Sequence, residues 1–365
     1  MKQKKHMIYT CVFAVLFFGL TLFCWLKPSD AFSATERRPL DQFPTLSVNT
    51  LTNGSFMSKF EEYTLDQFPM RDEFRSIKAV VSKYVLGQKD NNGIYIADGY
   101  ISELDYPMNE KALQKAVKKF NSIYEMYMKD TDVKLYYSLI PDKNYFLAEQ
   151  NEYPSMDYDA LLQYMKHGLS DMQYIDIFPL LSIEDYYFTD THWKQENIIH
   201  VADALVNAMG TELDAQYTTQ TLDNPFYGVY YGQLGLPVDA DVITYLTNDT
   251  LENCIVYDHQ NGKEMSMYDM DKAMGRDPYE MFLGGSLAII TIDNPNATTD
   301  KELVIFRDSF GSSIAPLLVD GYAKITLLDA RYLHQNMIGK FVTFDNQDVL
   351  FLHSTSVVNN DIAFN

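Results

Sequence analysis

The sequence predicts an α/β fold in which a mostly parallel sheet with flanking helices carries an inserted irregular or β region, preceded by one N-terminal transmembrane helix. Apolar residues recur at spacings of three and four over residues 108–129, which indicates an amphipathic helix packed on a sheet. Residues 133–140 are rich in aliphatic and aromatic side chains, which is typical of a strand. Residues 302–306 predict a buried strand that leads through a turn into a helix over 312–319. Strands that alternate with helices form parallel sheets with crossover connections.

The N-terminus carries an apolar run over residues 7–26, which follows Lys2, Lys4 and Lys5. A helix of about 20 residues spans roughly 30 Å of hydrocarbon. The positive charges on its N-terminal side predict a cytoplasmic stub and a single-pass anchor over residues 1–27, with the C-terminal domain outside the cytoplasm. The alternative is a signal peptide that is cleaved to release a secreted protein. The run is longer than a usual signal sequence, which favours the anchor.

Changes of composition divide the rest of the chain. Residues 28–90 begin polar and contain several prolines, so we interpret them as an extracytoplasmic tether and an N-terminal segment that packs on the body. Residues 91–365 form the predicted body. Over residues 211–300 the alternation of strand and helix is lost, and we expect an insertion over the edge of the sheet. The other predicted elements are a hairpin over 91–102, helices over 158–169 and 195–209, and strands over 174–178, 324–328 and 348–353.

Charge and composition exclude several classes of protein. A net charge of −21 excludes nucleic-acid binding, which needs clustered Lys and Arg. A hydrophobic content of 47% over 365 residues is sufficient for one large globular domain. Cys11 and Cys24 lie in the apolar run, which leaves Cys254 without a partner for an internal disulfide. His192 and His200 are not spaced as in a zinc-binding helix, and no phosphate-binding glycine loop occurs, so the sequence predicts no metal and no cofactor.

Two short motifs carry the residue types of nucleophilic catalysis. Ser309 follows a predicted strand and precedes a helix, at the edge where open α/β sheets bind ligands. The segment DTHW supplies Asp190 and His192 on a loop that enters another helix. A serine becomes a good nucleophile when an imidazole accepts its proton, and a carboxylate orients that imidazole. In the structural alternative, Asp190 caps its helix and Ser309 is a cap or loop hydroxyl.

These motifs, with others along the chain, resemble the bacterial DHHW protein family and the related SGNH-hydrolase-like alginate O-acetyltransferases of the AlgX and AlgJ type. The resemblance covers most of the exported chain and implies an SGNH-like, flavodoxin-like catalytic domain over residues 91–365. The segments that carry it are ERRPLDQFP (36–44), FEEYTLDQFPMRDEFR (60–75), GIYIADGY (93–100), IPDKNYF (140–146), DTHWKQEN (190–197), DSFGSSIAPLL (308–318) and LLDARYL (327–333).

The resemblance also implies roles for the two motifs. Asp190, His192 and Ser309 become the acid, base and nucleophile of a site that transfers or removes acetyl groups. The implied substrate is a polysaccharide of the cell envelope or an exopolysaccharide, and the implied acyl donor is a membrane-bound O-acyltransferase. Two residues depart from the family pattern: Thr191 stands where the name motif has a histidine, and Arg307 replaces the glycine of the usual G-D-S turn. Arg307 bears on the tightness of that turn and on the oxyanion geometry.

Other residues are candidates for substrate binding. Lys143, after a predicted strand, could bind an acidic sugar or an acyl carrier, or could be a solvated or ion-paired lysine. Trp193 and Tyr231 could stack on a sugar ring. Arg331 could clamp the substrate or form a structural ion pair. The candidates for donating a backbone N–H to an oxyanion are Ser309, Gly232 and Gly284, with the neighbouring Gly285.

The sequence therefore predicts an extracytoplasmic acyl, in particular acetyl, transferase or esterase that works through an acyl-serine. A sugar acceptor makes the enzyme a transferase and water makes it an esterase, and one triad serves both. The second hypothesis is a noncatalytic polysaccharide-binding or assembly module with the same fold, motivated by Arg307 and the abundant aromatic residues. Placement of the Ser309 hydroxyl and the His192 ring on opposite faces of the sheet would exclude catalysis by this triad.

Overall fold

The chain forms two compact units in a computed structural model, which describes the backbone of residues 2–364 and the side chains of residues 4–364. The smaller unit comprises Met1–Asn92 and Tyr231–Val238. The larger unit comprises Gly93–Tyr230 and Asp239–Asn365. The first division falls two residues beyond the boundary that composition indicates.

The smaller unit is mainly helical. Residues Lys4–Leu26 of its first helix are long and apolar enough to cross a membrane, a property that anchors and signal sequences share. The chain then forms a short hairpin and three further helices, the last of which continues as a π-helical turn over Val81–Val85. The elements are α1 (Lys2–Leu26), β1 (Phe32–Ser33), β2 (Arg38–Pro39), α2 (Val48–Thr52), α3 (Ser55–Asp66), α4 (Arg71–Val80) and β3 (Asp90–Asn91).

The larger unit alternates strands and helices. Its strands are β4 (Ile94–Ala97), β5 (Tyr100–Glu103), β6 (Lys134–Ile140), β7 (Gln173–Tyr174), β8 (Thr218–Thr221), β9 (Thr244–Thr247), β10 (Ile255–Asp258), β11 (Lys263–Met265), β12 (Ile289–Asp293), β13 (Glu302–Arg307), β14 (Lys324–Leu328) and β15 (Asp348–Ser354). Its helices are α5 (Glu110–Tyr127), α6 (Lys143–Leu147), α7 (Tyr158–Gly168), α8 (Ile199–Ala208), α9 (Val229–Leu234, which ends in the smaller unit), α10 (Asp249–Asn253), α11 (Met270–Ala273), α12 (Gly311–Leu318) and α13 (Thr355–Val358). Turns of 3-10 helix occur at Glu149–Asn151, Phe178–Leu180, Ile183–Asp185, Gln195–Asn197, Pro278–Met281, Val319–Gly321 and Gln335–Lys340.

An eight-stranded sheet organises the larger unit in the order β11-β10-β12-β14-β13-β15-β6-β7. The five strands from β14 to β7 are parallel, and β12, β10 and β11 add to one side in antiparallel fashion. The predicted α/β fold with a mostly parallel sheet is thus confirmed. The region 211–300 covers the sheet only in part, because β10, β11 and β12 belong to the sheet itself. Strand pairing of this kind is a tertiary property that the local sequence pattern does not contain.

The sheet is covered with helices on both faces. Along β13, Leu303 and Ile305 belong to one apolar core, and Val304 and Phe306 belong to the other, because successive side chains of a strand point to opposite faces. The first core contains buried side chains of α8 and α12, and the second contains those of α5 and α7. This three-layer arrangement leaves the carboxyl ends of the parallel strands as the place where loops gather.

A buried histidine lies near the end of β15. His353 is fully buried beside Phe120 and Phe364, and neither of its ring nitrogens has a hydrogen-bond partner among the described residues. Burial lowers the pKa of His353 from 6.5 to about 4. The unfolded chain therefore binds a proton between these pH values that the folded chain does not bind. Stability is fully present above pH 6.5 and falls as the pH drops towards 4.

We expect His353→Phe to weaken the dependence of the free energy of unfolding on pH below 6.5. The wild-type free energy of unfolding should fall by about 3 kcal/mol through this group between pH 6.5 and 4, at about 1.4 kcal/mol per pKa unit. Urea unfolding at pH 7, 5.5 and 4.5 measures the change. His167→Phe, at an exposed position of α7, is the matched control and should keep the wild-type slope. An unchanged slope in His353→Phe would contradict the assignment.

Candidate active site

The candidate nucleophile Ser309 lies in the turn between the carboxyl end of β13 and helix α12. Its neighbours Asp308 and Phe310 are buried, whereas Ser309 is partly exposed. The Asp308 carboxylate accepts hydrogen bonds from the backbone N–H of Phe310 at 3.1 Å, and from the N–H and hydroxyl of Ser354 at 2.7 and 2.8 Å. Asp308 therefore ties the turn to the end of β15, and its position is structural.

Arg307, which replaces the glycine of the usual turn, points away from Ser309 into the protein. The side chain is completely buried and donates to the carbonyl oxygens of Gly285 and Leu287, both at 3.2 Å. A Cβ at Gly311 would overlap the Arg307 side chain, so the first residue of α12 makes room for the arginine. The turn accommodates Arg307 in this way without displacing Ser309 from the histidine described below.

The loop that carries DTHW closes on itself. The Tyr187 N–H donates to the His192 carbonyl at 3.1 Å. Asp241 holds the start of the loop, because its buried carboxylate accepts the N–H groups of Phe188 and Thr189 and the Thr189 hydroxyl at 2.6 to 2.7 Å. These contacts fix the backbone on both sides of Asp190.

The structure brings the three predicted catalytic residues together. His192 Nε2 lies 2.7 Å from Ser309 Oγ, and His192 Nδ1 lies 2.6 Å from Asp190 Oδ1. A carboxylate only accepts, so Nδ1 carries the hydrogen and Nε2 is free to accept the Ser309 proton. Asp190 is buried and the His192 side chain is 13% exposed, so the carboxylate is shielded from solvent while part of the imidazole is accessible. The geometry is that of a nucleophile, a base and an orienting acid.

A glycine that the sequence analysis did not select supports Asp190. A Cβ at Gly228 would overlap the backbone and Cβ of Asp190, so only glycine fits there. The Gly228 N–H donates to the Thr189 hydroxyl at 2.8 Å, and the Val229 N–H donates to Asp190 Oδ2 at 2.8 Å. Both carboxylate oxygens are thereby occupied. Residues 228 and 190 are far apart in sequence, and the segment FYGVYYG gives no local sign of this contact.

A tyrosine also lies against the His192 ring. The rings of Tyr279 and His192 are stacked, with centroids 3.9 Å apart and an interplanar angle of 10°. The Tyr279 hydroxyl and Ser313 Oγ are hydrogen-bonded at 2.7 Å, and burial raises the pKa of Tyr279 well above its usual value. Phe310 contacts the imidazole at a centroid distance of 4.8 Å. Tyr279 therefore fixes the plane of the imidazole, a role that its sequence position did not indicate.

We expect Tyr279→Leu to lower kcat/KM for ester hydrolysis about tenfold, because it removes the stack and frees the imidazole to rotate. Tyr279→Phe keeps the ring and loses only the hydroxyl contact with Ser313, so its kcat/KM should stay within about threefold of wild type. Aromatic pairs contribute roughly 0.5–1.5 kcal/mol, which sets this scale. Steady-state kinetics of both variants with p-nitrophenyl acetate measure the difference. Equal losses in the two variants would show that the hydroxyl, and not the stack, is what matters.

Two predicted substrate-binding residues lie inside the protein instead. Trp193 is completely buried and donates from Nε1 to Ser313 Oγ at 2.8 Å, so its ring is not available to stack on a sugar. Lys143 is 1% exposed, and its ammonium donates to the carbonyl oxygens of Tyr187, Phe188 and Asp190 at 2.8, 3.0 and 3.1 Å. Lys143 thus holds the DTHW loop, and a site for an acidic sugar at this residue is not formed.

The remaining candidates have structural contacts of their own. Arg331 forms a bidentate pair with Asp329 at 2.9 and 2.6 Å, which corresponds to the structural alternative. The Gly284 carbonyl accepts from Lys272 Nζ at 2.6 Å, and the Gly285 carbonyl accepts from Arg307. Tyr231 and Gly232 belong to the smaller unit, where a Cβ at Gly232 would overlap the Thr35 carbonyl. Of these candidates, Ser309 lies beside His192, with its Oγ 2.7 Å from Nε2.

Comparisons with known proteins identify the fold. No protein-family model and no curated protein matches the sequence. Among solved structures, a DHHW family protein from Eubacterium siraeum is similar with a TM-score of 0.60 and 21% identity, over 75% of this chain and 94% of that chain. The chain has the DHHW-protein fold. Bacillus cereus PatB1 has the same fold, with a TM-score of 0.59 and 20% identity over 75% of this chain and 99% of PatB1.

PatB1 has also been solved with a sulfonyl adduct, and that structure matches with a TM-score of 0.57 and 18% identity over 74% of this chain and 97% of that chain. The resemblance predicted from the sequence motifs is therefore confirmed at the level of the fold. At these identities the DHHW-protein fold does not carry an activity with it, so the function rests on the residues of this site.

Proposed function

We propose that the protein is an extracytoplasmic acyltransferase or esterase that acts on acyl esters, in particular acetyl esters, of a cell-envelope or exopolysaccharide. The observation that carries the proposal is the 2.7 Å distance between Ser309 Oγ and His192 Nε2, with Asp190 on the other ring nitrogen at 2.6 Å. The same distance argues against the noncatalytic module, which has no need of a serine and an imidazole in this arrangement. The sulfonyl adduct of PatB1 supports a reactive group within the DHHW-protein fold.

The mechanism we propose is a double displacement. Ser309 Oγ attacks the acyl carbonyl while His192 Nε2 accepts the hydroxyl proton, and His192 then gives that proton to the departing alcohol or thiol of the donor. Asp190 stabilises the imidazolium in between. In the second half, His192 takes a proton from a sugar hydroxyl or water, the new oxygen attacks the acyl-serine, and the proton returns to Ser309. This chemistry needs no cofactor.

A retained N-terminal anchor would determine both where the enzyme works and which donors it meets. Helix α1 would hold the enzyme at the membrane with its larger unit outside the cytoplasm, and a membrane-bound O-acyltransferase would supply acyl groups there. If helix α1 were cleaved as a signal sequence, the enzyme would be secreted and would take acyl groups from a soluble ester or thioester. The accumulation of deacetylated glycan in the absence of a donor would make the esterase the principal activity.

The test is acylation of Ser309. Purified protein treated with p-nitrophenyl acetate should release a burst of nitrophenol and gain one acetyl group in intact mass. Ser309→Ala should show neither. Ser312→Ala is the matched control, because the Ser312 hydroxyl is buried and makes no hydrogen bond among the described residues, so its loss leaves the site intact. Acetylation of Ser309→Ala to the wild-type extent would overturn the proposal.

A further inference from the structure

Helix α4 of the smaller unit exposes apolar residues to solvent. On α4 and the turn that continues it, Phe74, Ile77 and Tyr84 are 47%, 58% and 71% exposed. Their spacing of three and seven places them on one side of the helix. Surface helices normally direct their apolar side inwards. A contiguous exposed apolar face therefore indicates a surface that binds a protein, a ligand or a membrane.

Two arginines of the same helix point into the unit, whereas Asp72, Glu73 and Lys78 are exposed. Arg71 forms an ion pair with Glu36 at 2.6 Å, and Arg75 forms one with Glu36 at 3.1 Å and donates to the Gly232 carbonyl at 2.9 Å. The Glu36 and Asp66 side chains are only 13% and 6% exposed. The ionic network therefore occupies the interior side of α4, so that the outward apolar side is built into the unit.

Three more exposed apolar residues lie on α3 and on the segment that joins it to α4. Met57, Leu65 and Met70, on α3 and the segment after it, are 62%, 65% and 59% exposed. We call these three, together with Phe74, Ile77 and Tyr84, the juxtamembrane face. The segment Ser29–Asp30, three to four residues after the end of α1, is bound to α3 by contacts of Ser29 Oγ with Tyr63 OH at 3.2 Å and of the Asp30 N–H with Gln67 Oε1 at 2.8 Å.

A groove of about 790 Å³ lies between α1 and α3. Thr21, Cys24 and Trp25 of the last turns of α1 line one side, and aromatic residues that include Phe60 and Tyr63 line the other. If α1 crosses the membrane, these turns lie at its surface, so α3 lies there too. Trp25 is 83% exposed, and Trp and Tyr are enriched at the interface between lipid and water.

Charge favours a lipid surface over a strongly charged partner. Residues 28–92 contain nine acidic and eight basic side chains, so they are nearly neutral, although the whole chain carries −21. The acidic surplus thus lies outside this segment. Helices that lie in a membrane surface have such a combination of an apolar face and a charged face.

We propose that the juxtamembrane face lies in the surface of the same bilayer that α1 crosses. The six side chains enter the boundary between headgroups and acyl chains, and the ionic network stays on the protein side. The smaller unit is then held against the membrane by its own surface as well as by its anchor. The proposal depends on α1 being retained, and not on the activity proposed above.

Site-directed spin labelling of the full chain tests the proposal. In a background with Cys11, Cys24 and Cys254 replaced by alanine, single cysteines are placed at Phe74 and Ile77 and labelled. The protein is reconstituted into vesicles of phosphatidylethanolamine and phosphatidylglycerol. The control label is at Lys111, an exposed polar position on α5 of the larger unit. Collision with oxygen, which concentrates in lipid, is compared with collision with a water-soluble nickel complex.

We expect the ratio of oxygen to nickel accessibility to be at least threefold higher at residues 74 and 77 than at residue 111. Equal ratios at all three positions would overturn the proposal, because the face would then be open to water. Low accessibility to both reagents at residues 74 and 77 would also overturn it, because a protein surface would cover the face instead of lipid. Circular dichroism of each labelled protein shows that it is folded.

Discussion

Asp190→Ala is expected to lower kcat/KM for ester hydrolysis about 10⁴-fold, the scale on which loss of the orienting acid of a triad acts. Asp190 accepts the Nδ1–H of His192 at 2.6 Å and the Val229 N–H at 2.8 Å. Without the carboxylate, the imidazole can adopt the tautomer with hydrogen on Nε2, which then faces Ser309 and cannot take its proton. The imidazolium that forms during the reaction also loses its nearest negative charge.

Stopped-flow measurement of the p-nitrophenyl acetate burst tests this expectation, because it isolates the acylation step. The matched control is Glu184→Ala, which removes a carboxylate from an exposed position of the same loop and should leave kcat/KM unchanged. An Asp190→Ala protein that is folded by circular dichroism and loses less than about tenfold in acylation would contradict the role of Asp190.

Lys143→Met should affect both stability and activity. The Lys143 ammonium is the donor to three loop carbonyls, and methionine fills similar space without donating. Each buried acceptor that loses its donor destabilises the folded protein by about 1–3 kcal/mol. Part of this loss is offset, because the variant no longer has to bury a charged group. Burial lowers the pKa of Lys143 to about 7, because the charged form loses its hydration inside the protein. We expect the free energy of unfolding to fall by about 3 kcal/mol.

Activity should fall with it, because the carbonyl of Asp190 itself is one of the three acceptors. A displacement of catalytic groups by about 1 Å costs on the order of 100-fold in rate, and we expect a loss of kcat/KM of that size in the folded fraction. Urea unfolding and burst kinetics on the same preparation separate the two effects. Lys166→Met, at an exposed lysine of α7 above the Tyr174 ring, should change neither. A stable Lys143→Met enzyme with wild-type kinetics would show that the loop holds its shape without this lysine.

Local sequence patterns predicted the elements that build the sheet. The expected helix over 108–129 is Glu110–Tyr127, and the expected strand over 302–306 is Glu302–Arg307. Short elements were less accurate: the strand expected over 174–178 is only Gln173–Tyr174, followed by a 3-10 turn. A two-residue strand is defined by its hydrogen bonds to β6, and the alternation of side chains over so short a segment does not indicate them.

The sequence predicted only those residues of the candidate site that belong to recognisable motifs. Asp190, His192 and Ser309 carry the groups of an orienting acid, a base and a nucleophile, and the motifs around them indicated all three. Trp193 belongs to the DTHW motif and Lys143 to the segment IPDKNYF, yet both are buried and hold the loop and turn in place. A motif indicates which residue type occupies a position, but it does not predict whether the side chain faces the substrate or the protein interior.

The sequence alone determined the α/β class, the apolar N-terminal helix and the three residues of the candidate triad, because periodicity, hydropathy and residue chemistry are local properties. Only the tertiary structure decided that β10–β12 extend the sheet, that Gly228 and Asp241 hold the DTHW loop, and that Tyr279 stacks on His192. Gly228 lies 38 residues after Asp190 and Tyr279 lies 87 residues after His192. Contacts over such separations depend on how the chain packs, because no local interaction brings these residues together.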